Sequence, residues 1–191
     1  MPDEANSPPD DELVQRCRDG DRHAFGILVD RYWERVFAWL YRLSGSLHTA
    51  EDLAQETFFK AWNGLGNYQT GPGFRAWVYR IARNAWIDYC RKHNQDVSVG
   101  MIDEHQMTKG MTPLQEILVQ EQEQLLQTAI TSLPSDLREA LLLRAVESMS
   151  FAEIAEIVAA NPDTARWRVF KARQILMKQF GMLAKTEEST S

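Results

Sequence analysis

Apolar residues recur every three to four positions along most of this 191-residue chain. That spacing places them on one face of an α-helix. Glycine and proline stand between the periodic stretches rather than inside them, where they mark the ends of helices. The pattern therefore predicts an all-α protein.

The first half of the chain is predicted to form four helices. A short helix in DDELVQRCRDG ends at Gly20, and a long aromatic-rich helix ends at Gly45. The third helix contains Thr49 and Asp52 at the spacing of a capping box. The fourth, FRAWVYRIARNAWIDYCRKH, follows the turn-rich loop NYQTGPG. These helices predict a first domain over residues 12–93.

A break in the periodicity separates this domain from a second one. Residues 94–112 gain glycine and polar side chains, which predicts a flexible linker. Thr112 then caps a new helix with Pro113 in its first position. Four helices are predicted to form a second domain over residues 113–180. Two terminal segments are predicted to be disordered, residues 1–11 and 181–191.

The last two predicted helices, SFAEIAEIVAA and NPDTARWRVFKARQILMKQF, are joined by a short turn. Ser150 and Glu153 have the spacing of a capping box, and Asn161 caps the second helix with Pro162 at its first position. The buried side of the first helix is predicted to hold Ala152, Ile154, Ala155 and Val158. Two helices across so short a turn indicate a helix-turn-helix.

The final helix has a small, apolar side and a basic, aromatic side. At about 100° per residue, one stripe is predicted to face the core: Ala165, Val169, Ala172 and Leu176. The opposite side and its flanks carry Arg166, Trp167, Arg168, Phe170, Lys171 and Arg173. Arginine and lysine can bond guanine edges or phosphates, and an aromatic ring can contact a thymine methyl group. We therefore predict DNA recognition, rather than the alternative of a merely solvated basic face.

The predicted third helix also has two distinct sides. Its apolar side consists of Leu53, Ala54, Thr57, Phe58 and Ala61, and its polar side contains Asp52, Gln55, Glu56, Phe59 and Lys60. Polar side chains alone would indicate only contact with solvent. A large exposed phenylalanine among acids and an amide indicates a protein-binding surface.

The fourth helix and the loop before it mix aromatic and cationic residues, including Tyr68, Arg75, Trp77, Arg80 and Arg83. This mixture suits unstacked single-stranded bases held beside a groove that follows the phosphates. Unstacking costs a few kcal/mol per base, and stacking on an aromatic ring returns about 1–3 kcal/mol, so capture needs no ATP. Trp77 equally fits the core, and Asn84 fits either a satisfied buried amide or a base contact.

Composition excludes several classes of function. The net charge of −6 argues against a chain coated in nucleic acid, although it allows local basic patches. Two distant cysteines indicate a reducing compartment, and the four histidines do not pair with them at metal-ligand spacing. No apolar run approaches the roughly 18 residues of a membrane span. With no GxxxxGK[ST] loop, nucleophile elbow or HExxH motif, we expect a cytoplasmic protein that is not an enzyme and has no cofactor.

Three segments in order resemble the bacterial RNA polymerase sigma factors: AEDLAQETFFKAW, FRAWVYRIARNAWIDYCRK and LPSDLREALLLRAVESMSFAEIAEIVAANPDTARWRVFKARQIL. The compact two-domain length is similar to that of the extracytoplasmic-function (ECF) group. The resemblance implies a region 2-like domain and a region 4-like helix-turn-helix domain. It also implies a subunit that binds core RNA polymerase, recognises the −35 and −10 promoter elements and melts DNA for a stress or environmental-response regulon. Ala159, Ala160 and Trp167 depart from the family's usual residues.

The resemblance also implies roles for individual residues. The clamp helices of the largest polymerase subunit would be bound by Asp52, Gln55, Glu56 and Phe59. The −10 element would be melted and read by Tyr68, Arg75, Trp77, Arg80, Ile81, Arg83 and Asn84, with Tyr68, Ile81 and Asn84 around a flipped base. The −35 element would be read by Arg166, Trp167, Arg168, Phe170, Lys171 and Arg173. The linker would thread the polymerase cleft.

The implied partners are core RNA polymerase, promoter DNA and an anti-sigma factor. Polymerase would be contacted at its clamp helices and its flap, and the DNA would be double-stranded at −35 and single-stranded at −10. The anti-sigma factor would be membrane-anchored, whereas this chain would not itself insert into a membrane.

The residues alone leave two other classes open. One is a free-standing DNA-binding regulator whose first domain dimerises or senses a signal. Such a domain has no need of an acid–amide–phenylalanine surface beside an aromatic–cationic helix. The other is an adaptor or anti-regulator that binds only protein, which the basic last helix disfavours.

Overall fold

A computed structural model of the chain describes residues 8–71, 73–93 and 124–188, with side chains up to residue 180. Within these ranges the chain forms α-helices, one 3-10 turn and no strand, which confirms the predicted all-α class. The helices are α1 (Asp10–Arg18), α2 (Arg22–Ser44), α3 (Leu47–Gly64), α4 (Gly73–Lys92), α5 (124–131), α6 (Ser135–Ala145), α7 (Phe151–Val158) and α8 (Pro162–Glu188). The 3-10 turn is Leu65–Asn67.

Glycine and hydroxyl side chains define the boundary between α2 and α3. Gly45 ends α2 in the left-handed region at φ 69°, as its position in the sequence predicts. The Ser46 side chain accepts the backbone N–H of Thr49, so α3 begins at Leu47. The predicted capping box of Thr49 with Asp52 is therefore wrong, because Thr49 already lies in the first turn that Ser46 caps.

The capping chemistry predicted for the last two helices is confirmed. Ser150 and Glu153 form a reciprocal capping box at the start of α7. Asn161 Oδ1 accepts the backbone N–H of Thr164 at 2.7 Å, with Pro162 as the first residue of α8. A short turn therefore joins α7 to α8, as in a helix-turn-helix.

The predicted buried side of α7 needs one correction. Ile154, Ala155 and Val158 are buried, but Ala152 is exposed and Ile157 is buried instead. Ala152 lies about 160° around the helix from Ile154, at 100° per residue. It therefore points to solvent when Ile154 points to the core.

The first domain is built around α2, which packs against α1, α3 and α4. Leu28, Val36 and Trp39 of α2 are fully buried. The predicted apolar side of α3 is confirmed as buried: Leu53, Ala54, Thr57, Phe58 and Ala61. The hydroxyl of Thr57 donates to the Leu53 carbonyl at 2.6 Å, which satisfies the polar atom inside this core.

The second domain packs directly against the first. Within the described residues, α6 lies against α2, and α7 lies against α4. The side chain of Gln127 on α5 donates to the Arg42 carbonyl near the end of α2 at 3.0 Å. The predicted linker, residues 94–112, lies outside the described residues, as do residues 1–7 and 113–123.

The helices extend beyond the predicted domains at both ends. α1 begins at Asp10, inside the segment predicted to be disordered. The Asp10 carboxylate accepts hydrogen bonds from Arg31 and from the hydroxyl of Tyr32, both on α2. α8 continues past Phe180 to Glu188. The added residues GMLAKTEE contain several good helix formers and no proline. The remaining tail, residues 189–191, lies outside the described residues.

The turn between α7 and α8 places a non-glycine residue in the left-handed region, Ala159 at φ 52°. We expect Ala159→Gly to raise the free energy of unfolding by about 1 kcal/mol, because a Cβ is strained at positive φ. Chemical denaturation followed by circular dichroism measures the change. Ala160→Gly is the matched control, since residue 160 is not at positive φ. At that position glycine should lower the free energy of unfolding, because it adds conformational entropy to the unfolded chain. A loss of stability for Ala159→Gly would contradict the strain.

Candidate functional site

One outward side of α3 carries the predicted polar and aromatic set, here called the α3 face: Asp52, Gln55, Glu56 and Phe59. All four side chains are exposed, and Phe59 is 69% exposed. Glu56 pairs with Lys60 at 2.6 Å one turn further along the helix. Because the opposite side of α3 is buried, this face is held in a fixed orientation toward solvent.

A tryptophan that the sequence analysis did not single out extends this face. Trp62 is partly exposed, and its ring meets Phe25 of α2 edge-on, with centroids 5.0 Å apart. Its spacing of three residues from Phe59 places the two rings on the same side of α3. That spacing was the sequence signal from which Trp62 could have been predicted. Its ring makes the exposed surface more aromatic than predicted.

Tyr68 is buried in the loop before α4. Its ring packs edge-on against Phe74 and Trp77, with centroids 6.0 and 5.2 Å away. Its hydroxyl donates to Asp11 Oδ1 at 2.9 Å. Burial, and then the bond to Asp11, raise the pKa of the Tyr68 hydroxyl. Tyr68 and Trp77 therefore lie inside the first domain in this structure.

The N-terminal helix fixes this loop in place. Arg18 of α1 donates to the carbonyl of Leu65 at 3.2 Å and to the carbonyl of Tyr68. Arg18 and Asp11 are thus positioning residues that the sequence analysis did not find. They lie 47 to 57 positions before the groups that they hold, and no local motif indicates a contact at such separations.

Apart from buried Trp77, the predicted −10 residues on α4 divide between two sides of the helix. Arg80 and Asn84 are exposed four residues apart, and Ile81 is half-buried beside them. Arg75 and Arg83 lie on another side and face the second domain. Only part of the predicted set is therefore open to solvent.

Both of these inward-facing arginines bind carboxylates of the second domain. Arg75 Nη2 donates to Glu153 Oε1 at 2.5 Å, and its Nη1 lies 3.5 Å from the Glu147 carbonyl. Arg83 Nε donates to Glu139 Oε2 at 2.6 Å. Burial raises the pKa of Glu139, and the neighbouring charge of Arg83 opposes that shift.

The basic, aromatic side of α8 projects from the second domain. The predicted core stripe is confirmed, with Ala165, Val169 and Ala172 buried and Leu176 partly buried. Opposite this stripe and beside it, five side chains are exposed. They are here called the α8 face: Arg166, Trp167, Phe170, Lys171 and Arg173. Trp167 and Phe170 are 56% and 59% exposed.

The arginines at positions 166 and 168 have different surroundings. Arg166 is exposed and pairs with exposed Asp163, 3.6 Å away in its own helix, and its guanidinium lies 5.3 Å from the centroid of the Phe151 ring on α7. Arg168 instead turns inward and pairs with Asp136 of α6 at 3.4 Å. Arg166 is therefore available to a ligand of the α8 face, whereas Arg168 also binds α8 to α6.

Within the described ranges, no helix combines the length and hydropathy that a membrane span requires.

Comparisons with protein families identify both domains. Residues 28–95 match the family described as Sigma-70 region 2, and residues 123–176 match Sigma-70, region 4. The RNA polymerase sigma-H factor of Pseudomonas aeruginosa is 33% identical over 178 residues, covering 88% of this chain and 92% of that protein. The ECF RNA polymerase sigma-E factor of Haemophilus influenzae is 34% identical, covering 87% of this chain and 93% of that protein. The ECF RNA polymerase sigma factor SigW of Bacillus subtilis is 30% identical, covering 87% of this chain and 94% of that protein.

Solved structures have the same arrangement of helices. The sigma factor RpoE of Bartonella quintana, crystallised with the anti-sigma factor NepR, has a TM-score of 0.66 at 26% identity, covering 82% of this chain and 96% of that one. CnrH in complex with the cytosolic domain of CnrY has a TM-score of 0.71 at 22% identity, covering 91% and 97%. At 22% identity, the likeness to CnrH is a likeness of fold alone.

Region 2 followed by region 4, each with an outward polar–aromatic face, defines a sigma factor, the class of subunit that directs RNA polymerase to promoters. The relatives named for the ECF group match this chain over nearly their whole length. This chain therefore belongs to the ECF group of RNA polymerase sigma factors.

The buried hydroxyl of Tyr68 gives a test of how the loop is held. We expect Tyr68→Phe to lower the free energy of unfolding by about 1 kcal/mol, because it removes the bond to Asp11 and keeps the packed ring. Tyr89→Phe is the matched control, since that hydroxyl lies 3.4 Å from Thr49 in a longer, weaker contact. Equal effects of the two substitutions in urea denaturation would contradict the role of Asp11.

Proposed function

We propose that this sigma factor binds core polymerase through the α3 face and reads the −35 element with the α8 face. Its α4 helix and the preceding loop then melt and read the −10 element. The observation that carries this proposal is the exposure of Phe59, Trp167 and Phe170 on helices whose other sides are buried. Large aromatic side chains so exposed and surrounded by polar groups are typical of interaction sites.

The α3 face suits a protein partner. Its acids and amide offer acceptors and donors around the Phe59 ring, and partly exposed Trp62 enlarges the apolar centre. Aromatic anchors surrounded by polar groups contribute most of the energy in protein interfaces. The clamp helices of the largest polymerase subunit are the proposed partner, with the flap contacting the second domain.

The α8 face suits the major groove. Arg166 and Lys171 can donate to guanine edges or phosphates, and Phe170 can contact a thymine methyl group. The short turn after α7 presents α8 outward, which is how a helix-turn-helix presents its recognition helix to the groove. Trp167 adds bulk at a position where the family often has a small polar residue, so the family's upstream promoter sequence does not carry over to this position.

The exposed side of α4 supports the proposed −10 function. Arg80 and Asn84 can contact the backbone and the edge of an unpaired base, and Ile81 lies beside them. Tyr68 and Trp77 would stack on bases only after the loop moves away from α1, since both rings are now buried. Their stacking energy of about 1–3 kcal/mol per base is comparable with the cost of unstacking.

The solved relatives suggest how this factor is regulated. RpoE was co-crystallised with an anti-sigma factor, and the solved structure of CnrH is a complex with the cytosolic domain of CnrY. We extend that mode of control to this chain and propose a membrane-anchored anti-sigma factor. The chain itself would act in the bacterial cytoplasm as an initiation factor for a stress or environmental-response regulon, without catalytic residues or a cofactor of its own.

The α3 face is tested by the double variant Asp52→Ala with Gln55→Ala. We expect its dissociation constant for core polymerase to rise about 10–100-fold, because two polar partners beside the aromatic centre of the interface are lost. Labelled chain titrated with core enzyme measures the affinity, and thermal unfolding verifies the fold. Glu34→Ala, another exposed acid in the same domain, should leave affinity unchanged. Unchanged binding by the double variant would place the interface elsewhere.

The α8 face is tested by comparing Arg166→Ala with Arg168→Ala. Run-off transcription of a genomic library with core enzyme first supplies promoters. We expect Arg166→Ala to cost about 1–3 kcal/mol and to relax preference at one upstream base. Arg168→Ala should lower stability and leave base preference intact, because Arg168 binds Asp136. A uniform loss across all upstream sequences for Arg166→Ala would make that residue a phosphate contact.

A further inference from the structure

The ring of Phe151, the first residue of α7, contacts guanidinium groups from two neighbouring helices. The Arg144 guanidinium of α6 lies 5.1 Å from the ring centroid, and the Arg166 guanidinium of α8 lies 5.3 Å from it. Both distances are within the roughly 6 Å at which a cation is attracted to the face of an aromatic ring. The ring therefore joins three helices at the start of the helix-turn-helix, beside the α8 face.

The surrounding structure holds this ring in place. Phe151 is half-buried and packs against the hydrophobic core. The reciprocal capping box at the start of α7 fixes the backbone at this point. Arg144 is anchored as well, because its Nη1 donates to the carbonyl of Met149 at 2.7 Å. Phe151 thus presents a fixed apolar surface to the side chain of Arg166.

Arg166 also contacts a carboxylate, but that contact constrains it less. Arg166 pairs with Asp163 at 3.6 Å, one turn earlier in α8, and the two side chains are 65% and 92% exposed. Ion pairs so exposed are screened by salt and contribute little. The ring of Phe151 is uncharged and partly shielded from solvent, so its contact with Arg166 depends less on salt. We therefore expect the ring, rather than the carboxylate, to determine where the guanidinium points.

A contact with an aromatic face leaves the hydrogen-bond donors of a guanidinium free. Arginine has five N–H donors and no acceptor, and a carboxylate occupies some of those donors, as Asp136 does with Arg168. An aromatic face attracts the positive charge without occupying those donors. A guanidinium held in this way can still donate in parallel to the O6 and N7 atoms of guanine, a bond pair that requires a fixed orientation.

We propose that Phe151 is a positioning residue for promoter recognition, and that its ring orients Arg166 toward one guanine of the −35 element. This inference rests on the proposed −35 function of the α8 face. Phe151 acts through Arg166 and needs no contact of its own with the DNA. The ring limits the conformations that the arginine side chain would otherwise lose on binding, and this favours the base that fits its orientation over the other bases.

The test compares variants with and without a ring at position 151. Phe151→Leu and Phe151→Met keep an apolar side chain but remove the ring, whereas Phe151→Tyr and Phe151→Trp keep a ring. Asp163→Asn is the matched control, because it removes the charge that pairs with Arg166 and leaves the ring in place. Each variant is bound to core polymerase, and run-off transcription is measured on promoters randomised across the −35 element. Arg166→Ala in the same assay identifies the base that Arg166 reads.

We expect Phe151→Leu and Phe151→Met to lower the preference for guanine at that base about threefold to tenfold, and to leave preference at the other −35 positions intact. The two variants that keep a ring should retain the preference. Asp163→Asn should change transcription equally on all −35 sequences. The double variant Phe151→Leu with Arg166→Ala should have the same preference as Arg166→Ala alone, because the ring acts only through that side chain.

Two results would overturn the inference and leave the proposed function of the α8 face standing. In the first, the variants without a ring are folded by circular dichroism and weaken transcription equally on every −35 sequence, as a purely structural residue would. In the second, they keep the full preference that Arg166→Ala loses. If Arg166→Ala itself changes no preference, the proposed function of Arg166 fails and the inference fails with it.

A measurement on the wild-type chain decides the matter if neither variant without a ring folds. The Nε–H proton of Arg166, assigned by its loss in Arg166→Ala, should have a nuclear magnetic resonance shift displaced by the ring current of Phe151. That displacement should persist when salt is raised, whereas an orientation set by Asp163 would be lost. A signal at the position of a free arginine would overturn the proposal.

Discussion

Two consecutive charged residues in α6, Arg138 and Glu139, are buried where the two domains meet. Arg138 donates to the carbonyls of Thr131 and Leu133 in its own domain and to that of Leu43 at the end of α2, while Glu139 binds Arg83 on α4. Burial lowers the pKa of Arg138 and raises that of Glu139, which are the directions expected for charges removed from water. The cost of burying each charge is offset only while its partners are in place.

This arrangement gives α4 three functions at once. One side completes the first domain through Phe74, Trp77 and Val78, and another side binds the second domain through arginines. A third side remains in solvent with Arg80 and Asn84. A single helix can thus be core, interface and candidate DNA-binding element, because successive residues turn by about 100°.

The sequence predicts the helices well because the signals are local. Gly45, the capping box at Ser150 and the Asn161–Pro162 pair each act within one turn, and the apolar stripes of α3 and α8 depend only on spacing. The predicted start of α3 is wrong because two hydroxyl residues compete for the cap. Ser46 and Thr49 are each followed by a polar residue three positions later, which is the spacing of a capping box. The exposure of Phe59, Trp167 and Phe170 also follows from helical spacing, whereas Trp62 was not predicted.

Contacts between distant elements escaped prediction for a physical reason. Arg35 and Glu147 are 112 positions apart, and in the sequence each is an ordinary charged residue of the kind that usually faces solvent. The pairing of the two residues and the burial of Glu147 follow from how the domains pack, which periodicity within one helix does not encode. Tyr68 was similarly identified as a residue of interest, but its bond to Asp11 depends on where α1 folds back.

The exposed rings of Phe59, Trp62, Trp167 and Phe170 also affect the chain before it meets a partner. Water-facing aromatic area of this kind promotes self-association at high concentration. The net charge of −6 opposes that tendency by mutual repulsion, and salt weakens the repulsion. The same rings that suit recognition therefore set a solubility limit for the unpartnered protein, and that limit tightens as ionic strength rises.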